Sequence, residues 1–148
     1  KIHAVLNNNN KILLAWTQGT YGDTLYAQKL ESDGEFLWNN NVAVAGKNLT
    51  AGGSYFGIID FEMMQKDDGC YFATIPTGFG YNYVDINRID ENGNVLWGYN
   101  GKSMEGYSNS GYPYLISDGV GGGYVAWLNA NFFVQRFNQD STLLWASD

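Results

Sequence analysis

Carboxylates are the side chains here best placed by spacing to do chemistry. Asp60 and Glu62 alternate along the run Ile58–Met64, and Asp85 lies on a separate run. Two carboxyl groups at a suitable separation can act as acid and base, or acid and nucleophile, on a glycosidic bond. No other catalytic constellation is readable. The two arginines, Arg88 and Arg136, occupy the same position of a repeat. That placement argues for a structural pairing with acidic turn residues and against an arginine cluster gripping an anion. His3 is the only histidine and Cys70 the only cysteine, so no Cys/His metal cluster is expected. Cys70 lies in an apolar run and reads as a small buried side chain. Gly119 to Gly123 precede a strand-like run and offer no helix N-terminus for a phosphate. No cofactor and no metal are expected. The remaining chemistry is non-covalent: Tyr21, Phe79, Tyr81, Tyr99, Tyr107 and Tyr112 fall in or beside connections. Aromatic faces there can stack on sugars or anchor a protein partner, or can cover seams between packed elements.

The elements that hold these groups are set by a repeat. Gln28 to Trp38 (QKLESDGEFLW) recurs without gaps as Asn87 to Trp97 (NRIDENGNVLW) and as Gln135 to Trp145 (QRFNQDSTLLW). Each copy runs amide, base, apolar residue, a polar turn, then an apolar stretch closed by Trp. A short apolar run precedes each copy and carries Ala15 with Trp16, Ala73, or Ala126 with Trp127. Read backwards and forwards, each unit predicts four strands. They lie near 2–6, 11–17, 24–31 and 35–39; near 58–65, 70–75, 82–89 and 94–98; and near 112–117, 123–128, 132–138 and 142–146. Asp33-Gly34 and Asn92-Gly93 are hairpin signals, because the tight turns that join twisted strands need positive φ.

Composition agrees. Gly appears 19 times, Pro twice, and aromatics make up 16%, a mixture suited to twisted strands and tight turns. The net charge of −7 disfavours nucleic acid. No apolar run approaches the roughly 20 residues that span a bilayer as a helix. The chain opens on Lys1 without an initiator Met, which reads as a processed or excised segment.

Four short antiparallel strands per unit is the pattern of a β-propeller blade. The fold class expected is all-β, three four-stranded antiparallel blades within a ring of six to eight, with units at about 1–57, 58–111 and 112–148. Trp38, Trp97 and Trp145 are placed on the outermost strand, covering the seam to the next blade. Trp16, Trp127, Gly34 and Gly93 are the other structural marks of the repeat. Polar first-strand residues such as Asp60 would then line a wet central channel.

The pattern in Tyr112 to Trp127, followed by the repeat, resembles blade repeats of large secreted proteins of the Bacteroidota, many of which carry a type IX secretion sorting domain. Asn92 to Trp97 is similar, more weakly, to the tryptophan-docking motif of quinoprotein propellers, a structural motif even there. Ser32, Asp33, Gly34 and Trp38 come near the Asp-box of sialidases but break its spacing. The resemblance implies a secreted or cell-surface propeller; together with the absence of a readable catalytic constellation, it sets the expectation of a module that binds protein or glycan, or serves as a scaffold, without catalysis. The alternative it leaves is a fragment of a polysaccharide-acting propeller enzyme whose acids lie partly outside this chain. Three blades do not close a ring, so the expected partners are further blades of a parent protein or a second copy.

Overall fold

The computed structural model describes residues 1–7, 9–20, 24–46, 57–66, 68–77, 84–99, 101–104, 111–129 and 131–145. Among them the chain is all-β and antiparallel. The first sheet holds β1 (Ile2–Leu6), β2 (Ile12–Gln18), β3 (Thr24–Leu30) and β4 (Val42–Gly46) in that order. The second holds β5 (Gly57–Lys66), β6 (Gly69–Thr77), β7 (Val84–Asp90) and β8 (Lys102–Met104). The third holds β9 (Gly111–Ser117), β10 (Gly123–Asn129) and β11 (Asn131–Phe137). Sequential meanders of this kind follow from short strands separated by turn residues. Among the described residues no helix is long and apolar enough to cross a membrane.

The second sheet lies between the other two, and its strands bury both faces. Strand alternation divides its side chains. Phe61, Met63, Cys70, Phe72 and Ile89 join Leu13, Ala15, Leu25, Ala27 and Val44 of the first sheet in one core. Tyr71, Ala73, Ile75, Val84 and Ile86 join Val125, Trp127 and Phe137 of the third in another. Ala15, Ala73 and Ala126 hold the same place, each on the second strand and one residue past the partner of the repeat's leading amide.

The expected outer strands at 35–39, 94–98 and 142–146 are corrected. Each of these segments makes a single bridge, Leu30 to Phe36, Ile89 to Val95 and Phe137 to Leu143, and then leaves the ladder. The fourth strands come later, as β4 and β8, and the third sheet has three strands among the described residues. The cause is a side chain that replaces the ladder. Gln28 Oε1 accepts from the Trp38 backbone N–H (3.3 Å) and its Nε2 donates to the Trp38 carbonyl (3.2 Å). Gln135 treats Trp145 in the same way, at 3.1 Å and 3.1 Å. The shorter Asn87 reaches one residue further, to the Gly98 carbonyl (2.7 Å), and also to the Val44 carbonyl of the first sheet (2.7 Å).

The turn inside each repeat is the same object three times. In the first copy Glu31 N donates to Glu35 O, Gly34 N to Glu31 O and Leu37 N to Lys29 O, and the equivalent three bonds recur in both other copies. The seventh residue needs positive φ: Gly34 has +92°, Gly93 +86°, and Ser141 accepts +73° in their place.

Candidate functional site

The repeated residues build a joint between sheets. Trp38 Nε1 donates to the Glu91 carbonyl (3.1 Å), and Lys29 Nζ reaches the same oxygen (3.3 Å). Trp97 Nε1 donates to the Gln139 carbonyl (3.2 Å), and Arg88 Nη1 reaches that oxygen (3.2 Å). Glu91 and Gln139 both stand fifth in their copies. In each seam, then, the base and the Trp of one repeat converge on the fifth carbonyl of the next. Trp38 is 8% exposed, and its ring lies on Gly93, where an added Cβ would sit 3.0 Å from Trp38 Cδ2. Trp97 packs beside Tyr71 and Phe137, with ring centroids 5.4 Å and 6.0 Å away. Tyr71 crosses the second seam as well, its hydroxyl donating to the Gly121 carbonyl (2.7 Å).

The arginines do pair with turn acids: Arg88 with Asp68, and Arg136 with Asp118 at 3.1 Å. Each guanidinium also lies over an aromatic ring of its own sheet, Arg88 over Tyr71 (5.4 Å) and Arg136 over Tyr124 (5.6 Å). Trp16 and Trp127 have other jobs. Trp16 stacks on Tyr26 and Trp127 on Phe133, at 6.0 Å and 5.6 Å between centroids.

Asp85 is not brought to the other two carboxylates. Asp60 pairs with Lys1 Nζ at 2.6 Å, and Glu62 lies 3.9 Å from His3 Nδ1. Both contacts join the first sheet to β5. Asp85 is on β7, two strands from β5, or roughly 10 Å at ordinary strand spacing. Among the described residues no three His, Cys, Asp or Glu side chains gather as metal ligands. Oxygen-rich Asp90 to Asn94 is a capped turn: Asp90 Oδ1 accepts from the Asn92 and Asn94 backbone N–H groups at 2.9 Å and 2.8 Å.

Burial is the main influence on Asp85 and on Cys70. Asp85 is pushed up to about 6 by desolvation, partly offset by a hydrogen bond from Ser103. The folded chain thus holds this proton more tightly than the unfolded one. Its stabilising contribution is complete below about pH 4 and is lost as pH rises through about 6. Asp85→Asn is expected to raise stability at pH 7 by on the order of 1–3 kcal/mol and to remove that slope, checked by urea unfolding at pH 4 and pH 7. Burial also raises the Cys70 thiol well above its ordinary range. A thiol reagent should leave Cys70 unmodified in the native chain and react once denaturant is added; rapid native labelling would contradict the packing.

Of the six aromatic residues expected to contact ligand, Tyr21, Phe79, Tyr81 and Tyr107 lie outside the described residues. Tyr99 is exposed in the connection leading to β8. Tyr112 is the more informative. It is 73% exposed at the start of β9 and has φ +54°, a left-handed conformation uncommon for an aromatic residue. With Gly111, Ile59, Ile75 and Asp60 it lines an open cleft between the second and third sheets. An outward aromatic face, an apolar floor and one carboxylate acceptor suit the apolar face and hydroxyls of a sugar. Sequence reasoning named Tyr112 and Asp60 separately; their meeting depends on how β5 and β9 pack, which no local pattern encodes.

No protein-family model matches the chain, and no curated protein and no solved structure matches it.

Proposed function

We propose that this chain is a three-blade stretch of a secreted or cell-surface β-propeller that works as a non-catalytic binding or scaffold module. The observation that carries the reading is the seam. Two successive sheet pairs are joined by the same residues of one repeat, with the middle sheet buried on both faces. Identical joints between consecutive units are the construction rule of repeat arrays, blades included. The end sheets present apolar outer faces, which suits units meant to have neighbours. The secreted or surface location follows from the resemblance of the repeat to Bacteroidota blades.

The binding part of the reading rests on the Tyr112 cleft, and its ligand class is a glycan. A panel of soluble neutral oligosaccharides, titrated by calorimetry, tests it. A binder in the panel should lose about fivefold or more in affinity in Tyr112→Ala, since stacking of a sugar on an exposed ring is worth about 1 kcal/mol or more. An undiminished affinity in Tyr112→Ala would move the site elsewhere. New reducing ends appearing in the same mixtures would overturn the non-catalytic reading in favour of the enzyme fragment.

A further inference from the structure

The joint has a donor half and an acceptor half, and this chain carries one spare copy of each. In the third sheet Arg136 and Trp145 flank Tyr124 as Arg88 and Trp97 flank Tyr71. The Trp145 ring is 5.6 Å from Tyr124, and the Arg136 guanidinium lies over that same ring. In the second sheet this arrangement closes on the Gln139 carbonyl. In the third, Trp145 is 46% exposed and its Nε1 meets no acceptor among the described residues. At the other end, the fifth residue of the first repeat is Ser32, exposed, whose carbonyl receives no donor among the described residues. Gly34 beside it has open space where Gly93 is covered by Trp38.

The flanking faces match too. Ile2 and Leu6 project from the outer face of the first sheet, opposite the His3 and Val5 that turn inward. That face corresponds to the faces of the second and third sheets that are buried against a preceding unit. Tyr114 and Ile116, 66% and 63% exposed, belong to the face of the third sheet that corresponds to those buried against a following unit.

We infer that two copies of this chain associate head to tail, Trp145 and Arg136 of each closing on the Ser32 carbonyl of the other, so that six units form one closed ring. The inference rests on the propeller reading and names its partner. Both halves of one interface on a single chain make a heterologous contact, which closes when the rotation permits. The Tyr124 hydroxyl would then meet the Asn10 carbonyl, the position that Gly121 holds in the second seam.

Sedimentation and light scattering of the purified chain across a wide concentration range test this. The expected mass is twice the 16.5 kDa chain. Trp145→Ala, at a residue already largely open to solvent in the single chain, should retain its β-sheet circular dichroism and raise the concentration needed for assembly by about thirtyfold or more. Ile2→Glu should do the same from the acceptor side. Mixing the two variants should restore association beyond either alone, because one of the two joints is intact in the mixed pair. A single-chain mass throughout, open-ended growth, or a double mass indifferent to both substitutions would overturn the pairing. Retained native circular dichroism with a single-chain mass would overturn the pairing alone and leave the propeller reading standing.

Discussion

Trp38→Ala should lower the unfolding free energy by about 3–5 kcal/mol, the range for truncating a buried Trp. Trp38 is the clearest case because its ring is almost fully enclosed and rests on the next repeat at Gly93. Removing it opens a cavity in the seam between the first two sheets and takes one of two donors from the Glu91 carbonyl. Trp38→Phe separates the two contributions. It retains an aromatic plate and deletes the indole donor, while Lys29 still reaches the oxygen. The expected cost is about 1–2 kcal/mol, a hydrogen bond plus a partial cavity. Chemical denaturation of both variants checks the order. Equal losses in the two would mean that the hydrogen bond, and not the packed ring, holds the seam.

Gly93→Ala should cost nearly as much, about 2–5 kcal/mol, for two separable reasons. At φ +86° an L side chain is strained by roughly 1–2 kcal/mol. The new Cβ would also lie 2.9 Å from Val42 Cγ2 and 3.0 Å from the Trp38 ring. Crowding of that kind costs about 1–3 kcal/mol. Gly119→Ala is the control: φ is +80° and nothing lies within 4 Å, so only the backbone cost of about 1–2 kcal/mol applies. The difference between the two variants measures how firmly the first repeat docks on the second. Identical thermal midpoints for both would show that Trp38 moves away without loss.

The strands that carry alternating apolar residues were legible, and so was the repeat. Leu25-Tyr26-Ala27-Gln28 reads as a half-buried strand and forms β3 with Leu25 and Ala27 inward. Asp33-Gly34 and Asn92-Gly93 read as turns and are turns. The segment Glu35 to Asn39 reads as a strand and is not one. Apolar residues and a Trp satisfy the propensity of a strand, but the Gln28 amide occupies the backbone groups of Trp38 that a ladder would need. That contact spans 10 residues within a repeat, so local alternation does not encode it. The repetition of an amide and a base at fixed offsets from Trp was the visible sign of a built feature. What it builds became clear only from the carbonyls of Glu91 and Gln139, 53 and 42 residues downstream of the tryptophans they meet. The Tyr112 cleft was legible only as an aromatic residue near a connection. Its meeting with Asp60 comes from the packing of the second sheet on the third.

The central claim is that the eleven repeated residues form a joint between consecutive units. Hydrogen exchange of the five indole N–H groups, followed by nuclear magnetic resonance, tests it most directly. The Trp38 indole, buried and bonded to Glu91, should exchange only when the chain opens globally, many orders of magnitude more slowly than the Trp16 indole, which is bonded to Gln18 on the exposed surface of its strand. Trp38 exchange as fast as that of Trp16 would contradict the joint, and with it the array of like units.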